Sequence, residues 1–486
     1  MIRLAEFRPL PEGKDQFPLE FIEQRQALKL GVREGTVVVG VVDPDDVFLM
    51  EELRHFLRAP VEFLPMAGQE LAEHLGGMMS QMGVSDSSSL PEKTLLDKLA
   101  NDAPIVNLAN TILLEGLRRG CSDIHIEAHP RQIRVRYRID GVLQIGRTLS
   151  RDIFPSLSSR IKIMANLDII ERRQPQDGRL SVGSGGQTVE FRVSIVPLAE
   201  GESIVLRVFQ RHGEVQSLAE LGFSSEYMPR LRKAAMASHG LLLVTGPTGS
   251  GKTTTLNALM REISRDENKV ITIEDPVENV LDGVNQIQTN EAIGLGFDTL
   301  LRRLLRQDPD ILMVGEVRDR ITADLTVRAA LTGHLVLSTL HTNDALSAIS
   351  RLSDMGVESF LMGSVLRAVA AQRLVRKICP SCRRLVEATA AQAAWLRSVG
   401  ANPEGLSAGS GCEECRGTGY RGRTVVAEIF PIDEQAEEII VAGGRRANLE
   451  AHYRSLGLPF LLDDAMRLVG SGVTTLTEIE RAVFTR

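Results

Sequence analysis

The sequence predicts an α/β multidomain protein built around a mostly parallel sheet, on three observations. A glycine-rich segment, Gly246 to Thr253, follows one short apolar run and opens a helix-like one. Four strand-sized apolar runs, Leu241–Val244, Val270–Ile273, Ile311–Val314 and Leu335–Leu337, are separated by helix-like stretches, as parallel strands joined by crossover helices are. Upstream, two segments alternate apolar and polar residues with period two, so a second domain containing a hairpin comes first.

Composition sets compatible bounds. A chain of 486 residues is long enough for about three domains. A hydrophobic fraction of 43% permits large cores, and 24% charged residues mark a globular chain. The net charge of −7, from 56 Lys plus Arg against 63 Asp plus Glu, argues against an obligate nucleic-acid binder. No apolar run is long enough to span a bilayer, and Met1 to Lys14 has no signal-peptide core. The expectation is a cytoplasmic protein whose membrane role comes through a partner.

Near the N-terminus, Phe21, Ala27, Leu28 and Leu30 precede a strand-like run, Thr36 to Val42. Pro44 and Asp45 then turn the chain into a helix-like stretch, Val47 to Leu57. The small, polar, proline-ended segment Ser85–Pro91 reads as a linker. The expected domains are therefore 1–84, a linker at 85–91, 92–215 and 216–486. In the second, Ile133, Val135, Tyr137 and Ile139 alternate with arginines, and Asp140-Gly141 turns the chain into a hairpin. Val189, Phe191, Val193 and Ile195 form another apolar face, with Glu190, Arg192 and Ser194 opposite. A helix-like segment, Phe154 to Ile169, lies between these runs.

The segment Gly246-Pro247-Thr248-Gly249-Ser250-Gly251-Lys252-Thr253, with Thr254 next, fits the G-x-x-x-x-G-K-[ST] phosphate-loop pattern in full. Its glycines let backbone N–H groups point at phosphate oxygens, and the following helix adds partial positive charge. In that role Lys252 neutralises the β and γ phosphates of ATP, and Thr253 ligates Mg²⁺.

Ile311–Val314 leads through Gly315 to Glu316, which could polarise a water, hold Mg²⁺ through water, or both. The strand Val270–Ile273 ends in Glu274 and Asp275, with Glu278 just beyond. Each acid alone reads as a solvated loop residue; beside a phosphate loop, the two strand ends point to joint control of metal and water. His334 and His341 bracket the run Leu335–Leu337, and either could donate to a γ-phosphate or be structural.

Cys379-x-x-Cys382 and Cys412-x-x-Cys415 are two C-x₂-C knuckles, and four thiolates make a closed tetrahedral set suited to structural Zn²⁺. The competing reading is a redox dithiol or free core thiols. Arg373, Arg376, Lys377, Arg383 and Arg384 are expected to offset the charge of the site. Cys121 reads as an ordinary buried cysteine.

Taken together, these residues resemble the secretion ATPases of the general secretory pathway protein E type, within the type II and type IV secretion superfamily. The motifs that carry the resemblance are TGPTGSGKTTT, ITIEDPVE (Ile271–Glu278), LLRQDPDILMVGEVRD (Leu304–Asp319) and TGHLVLSTLHTNDA (Thr332–Ala345). Upstream they are GCSDIHIE (Gly120–Glu127), RVRYRIDG (Arg134–Gly141) and PQDGR (Pro175–Arg179); downstream, the tetracysteine and GYRGR (Gly419–Arg423). The resemblance implies a RecA-like P-loop ATPase domain, preceded by a PAS-like α+β domain and a small N-terminal mixed domain. The ATPase domain would carry a zinc insert at 377–418 and a helical C-terminal part at 419–486.

It also implies a homo-hexamer that binds ATP between two lobes, with Arg192 in FRVS and Arg207 in VLRV reaching the phosphates and Arg179 a weaker candidate. Residues 1–84 would dock on the cytoplasmic domain of an inner-membrane platform protein, keeping the ATPase peripheral at that membrane. Hydrolysis would drive pseudopilus assembly and export across the outer membrane. The short N-terminal extension fits a secretion ATPase better than a type IV pilus assembly ATPase, and retraction ATPases lack the tetracysteine. A pilus assembly or DNA-uptake ATPase is the alternative within the superfamily. A nucleic-acid translocase would share the core, but one Trp and four Tyr supply no aromatic groove.

Overall fold

The computed structural model describes residues 100–484 apart from 185, 186 and 210–215, together with short runs within 4–74. They belong to two units, Met1–Leu99 and Ala100–Arg486. The linker expected at Ser85–Pro91 lies outside the described residues.

In the first unit, β1 (Ala27–Arg33) pairs antiparallel with β2 (Thr36–Val41), and α1 (Val47–Leu57) crosses over to β3 (Val61–Pro65), which lies parallel to β2. The central β2 buries Val37 to Val39 and Val41, as a strand covered on both faces does. The apolar pattern hides β1, because Gly31 interrupts it and the pairing register shifts between Lys29 and Gly31.

The second unit begins with a lobe formed by α2 (Ala103–Arg118), β4 (Asp123–Ala128), β5 (Gln132–Ile139), β6 (Val142–Ser150), α3 (Phe154–Met164), β7 (Gln176–Ser184), β8 (Gln187–Leu198) and β9 (Gly201–Phe209). Its antiparallel sheet runs β6-β5-β4-β9-β8-β7. Ala109, Ile112 and Leu113 of α2 and Leu157 and Ile161 of α3 form one core with Ile124, Val135, Phe191 and Val193 of the sheet. The helix expected over 154–169 ends at Met164, and Asn166 takes a left-handed φ of 55° that stops it.

The second lobe comprises α4 (Tyr227–Ala235), β10 (Gly240–Thr245), α5 (Lys252–Ile263), β11 (Val270–Glu274), β12 (Val284–Gln288), α6 (Phe297–Leu304), β13 (Ile311–Val314), α7 (Arg320–Leu331), β14 (Leu335–Leu340), α8 (Ala345–Asp354), α9 (Ser359–Val365) and β15 (Leu366–Ile378). After β16 (Arg383–Leu385), α10 (Ala390–Ser398) and β17 (Ser407–Gly409) come β18 (Tyr420–Pro431), α11 (Glu434–Val441), α12 (Arg446–Ser455), α13 (Leu461–Gly470) and α14 (Leu476–Val483). The sheet order is β12-β11-β13-β14-β10-β15-β18, parallel except for the last pair. Its inner strands β10, β11, β13 and β14 are buried along their whole length because helices cover both faces. The stretch 419–486, expected to be helical, opens instead with the 12-residue β18. Val425 to Phe430 are all buried there, so neither a helical nor a strand period is visible in the sequence.

Candidate functional site

The glycine loop joins β10 to α5 at the carboxyl edge of the parallel strands, where such sheets bind ligands. Gly251 caps α5 at φ 87°, a conformation that a side chain disfavours. Lys252 is 8% exposed, and its Nζ donates to the carbonyls of Gly246 at 2.8 Å and Pro247 at 3.1 Å. Burial pushes this amine down to about 8, against the opposing pull of Glu316. Thr253 and Thr254 are half-buried on the first turn of α5, while the buried Ser250 Oγ has no partner among the described residues. Loop N–H groups, a helix N-terminus and a buried cation are the parts from which an anion cradle can be built.

Glu316 follows β13, one strand removed from β10 across β14. His341, just past β14, brings Nε2 to 3.3 Å from Glu316 Oε2. Arg318 pairs with the same carboxylate and with Asp275 at 3.6 Å. Glu274 ends β11 and is 2% exposed. It accepts from Thr272 Oγ1 at 2.7 Å and Gln286 Nε2 at 2.9 Å, while its Oε2 has no partner among the described residues. Burial raises its pKa. His334 does not join this group. Two histidines bracketing one strand stand at opposite sheet edges, and His334 lies beside the start of β10, where its carbonyl accepts from Gly240. Its Nδ1 sits 3.0 Å from the Ala329 carbonyl.

Sequence reasoning missed Gln372 of β15 and gave its neighbour Arg373 a different role. Gln372 spans the glycine loop, and the buried Arg373 donates to the Asn343 carbonyl at 2.7 Å, beside His341 in sequence. Arg373 also acts electrostatically on Lys252. The available signal was a polar pair inside the apolar run Ala368–Val375. Neither Arg373 nor Arg376 therefore serves the cysteines as expected: Arg376 is paired with Glu478 at 2.7 Å.

In the first lobe, strand register aligns Arg179 with Arg192 and Arg192 with Arg207, which faces Asp123. Residues in register share a face, so the three guanidinium groups form a row across β7, β8 and β9. Arg207 Nε donates to Asp123 at 3.0 Å. Arg192 lies 4.6 Å above the Phe209 ring, and its buried Nε has no partner among the described residues. Burial and then Arg179 push its pKa down, while Glu278 of the second lobe pulls the other way. Arg192 therefore lies within electrostatic reach of the segment that follows β11.

The four cysteines Cys379, Cys382, Cys412 and Cys415 converge, with all sulfurs within 4.8 Å of one another. Cys379–Cys412 and Cys382–Cys415 are 3.8 Å apart and Cys412–Cys415 3.6 Å. Four thiolates at about 2.3 Å from a tetrahedral zinc stand about 3.8 Å apart. N–H groups of Cys412 and Gly419 point at Cys415 Sγ at 3.1 and 3.3 Å, as they would toward a thiolate. Beside the second knuckle, Arg416 donates to the Arg118 carbonyl of the first lobe at 2.9 Å, and at the start of β18 Gly422 N donates to Asp140 at 3.0 Å. Cys121 is buried apart from this cluster, and burial pushes its thiol up to about 12.

Among the described residues no helix is long and apolar enough to cross a membrane. Residues 98–481 match the family described as type II/IV secretion system protein, and residues 1–84 match the MshEN domain. The type II secretion system protein E of Pseudomonas aeruginosa is 45% identical, covering 85% of this chain and 82% of its own. The type IV pilus assembly ATPase PilB of Myxococcus xanthus is 37% identical over 98% of this chain and 88% of its own. The crystal structure of the pilus retraction motor PilT with ADP superimposes with a TM-score of 0.52 at 25% identity, covering 76% of this chain and 96% of that one. With its phosphate loop, strand-end carboxylates and tetracysteine cluster, the chain belongs to the type II/IV secretion system protein family, among the ATPases of type II secretion.

Proposed function

We propose that this chain is the cytoplasmic motor of a type II secretion system, using ATP hydrolysis to drive pseudopilus assembly and export across the outer membrane. The observation that carries the reading is the placement of the Lys252 loop and the Glu316–His341 pair at one sheet edge, in a chain 45% identical to a type II secretion system protein E. The second lobe reads as a RecA-like ATPase domain and the first as a PAS-like domain, with boundaries near 92–215 and 216–486. Residues 246–254 bind the nucleotide, with Lys252 on its phosphates and Thr253 positioned for Mg²⁺. Bound Mg²⁺ neutralises phosphate charge. Glu316 orients and deprotonates the attacking water, and His341 beside it reports the γ-phosphate; Glu274 is the alternative base. The chain works as a homo-hexamer. It is held at the inner membrane by docking of residues 1–84 on a platform protein and needs no nucleic acid.

Replacing Glu316 by Gln tests this reading. The amide keeps the shape, so ATP affinity stays within about threefold while turnover falls roughly 10²-fold, because proton acceptance is lost. In cells carrying only Glu316→Gln, secreted proteins are retained while surface pili still assemble. Normal export with lost pili would instead favour a pilus assembly ATPase, the second reading, which the 37% identity to PilB keeps in view. Lost nucleotide binding with an unchanged rate at saturation would make Glu274 the base.

The sulfur spacing fits structural zinc held by Cys379, Cys382, Cys412 and Cys415. Elemental analysis should find about one zinc per chain, lost in Cys379→Ser and Cys412→Ser and kept in Cys121→Ser. Because the knuckle meets the first lobe through Arg416 and lies outside the nucleotide loop, metal loss should impair secretion more than basal hydrolysis. Full zinc in both serine variants would refute the site.

A further inference from the structure

β15 lies parallel to β10, and Gln372 stands one residue beyond the pair Thr245↔Ala371, where β10 gives way to the glycine loop. The side chain is 1% exposed and spends both ends of its amide on that loop. Nε2 donates to the Ser250 carbonyl at 2.7 Å, and Oε1 accepts from Thr255 Oγ1 at 2.9 Å. The fit is close at two glycines. A Cβ at Gly246 would come within 2.5 Å of the Gln372 carbonyl, and one at Gly251 within 3.2 Å of Nε2.

In a trans peptide the C=O and the following N–H point in opposite directions. Holding the Ser250 carbonyl against β15 therefore fixes the Gly251 N–H on the other side of the loop. Thr255 lies on the first turn of α5, so the same amide locks the loop to the helix whose N-terminus forms the anion cradle. We propose that Gln372 is a positioning residue for ATP: it aims the Gly251 N–H at the nucleotide phosphates by pinning the Ser250 carbonyl and Thr255. The proposal rests on the reading of residues 246–254 as the nucleotide loop. Both ends of the Gln372 amide are engaged by Ser250 and Thr255, so its effect passes through the loop.

A phosphate held by a backbone N–H is held in the ground state and the transition state alike, so the loss falls on KM more than on kcat. The test uses the full-length chain and measures KM for ATP, Kd for ADP, kcat and the melting curve without nucleotide. In Gln372→Ala and Gln372→Glu, KM and Kd should rise about tenfold or more, the scale of one charge-assisted hydrogen bond. The glutamate also sets an oxygen against the Ser250 carbonyl. kcat should stay within about threefold. Thr255→Val removes only the contact at Oε1 and should raise KM about threefold, which keeps the test open if the Gln372 variants misfold. Unchanged KM and Kd in the folded variants, a loss confined to kcat, or a loss that only tracks a lowered melting curve would each overturn the proposal. Lys252→Ala is the control for the underlying reading: inactive Lys252→Ala with normal Gln372 and Thr255 variants refutes the positioning role alone. Active Lys252→Ala refutes the loop assignment.

Discussion

Lys252→Ala should remove nearly all ATP hydrolysis, roughly 10²- to 10³-fold or more, and leave the fold intact. The side chain makes its hydrogen bonds to the carbonyls of Gly246 and Pro247, within its own loop, so no distant contact depends on it. In the proposed site the amine faces the transferring phosphoryl oxygens, and an uncompensated charge there is among the costliest losses an active site can suffer. Near-wild-type turnover in a variant with an unchanged melting curve would end the assignment. Its ionisation adds a second measurement. Burial holds the free amine at about 8, and phosphate charge stabilises the protonated form, so binding takes up a proton. ATP affinity should therefore weaken as pH rises from 7 to 9 in the wild type, and that dependence should flatten in Lys252→Ala. Titration by calorimetry at pH 7 and 9 in both proteins decides it.

Arg192→Ala is the second large effect: turnover should fall roughly 10²-fold or more, within the range of an arginine that stabilises transferring phosphate. Arg192 sits on the side of β8 opposite the buried Phe191 and Val193, so its loss costs the core little. Its Nε lacks a partner among the described residues, and burial with Arg179 beside it penalises the charge, so the guanidinium is poised to gain from an incoming anion. If the lobes close on ATP, Arg192 meets the phosphates only in that state, and hydrolysis releases it, which turns chemistry into motion. Arg207→Ala should be milder, because Asp123 already pairs with that side chain. Lysine at 192 should rescue poorly, since one ammonium cannot reproduce a planar fork of donors. Unchanged turnover of Arg192→Ala with an unchanged melting curve would remove the arginine row from the reaction.

The sequence by itself determined the parts of this protein whose chemistry is local. The glycine loop was legible because G-x-x-x-x-G-K-T specifies a backbone path and a helix start within one turn. The cysteine knuckles were legible because two C-x₂-C pairs bring four sulfurs within reach of one ion. The β5–β6 hairpin followed from Asp140-Gly141 between alternating runs, and Ile139 does pair with Val142. What lay across the fold was not legible. His334 and His341 look equivalent along the chain, yet a six-residue strand places them at opposite edges of the sheet. Arg373 and Arg376 look like neighbours of Cys379, but on β15 their side chains reach Asn343 and Glu478. β18 could not be read from period because both of its faces are buried. The row of Arg179, Arg192 and Arg207, and the hold of Gln372 on the Ser250 carbonyl, arise only from strand register and sheet order. A period or a motif records what a residue does within a few positions of itself. Contacts between residues more than a hundred positions apart, as Gln372 and Ser250 are, depend on which strands the folded sheet sets side by side.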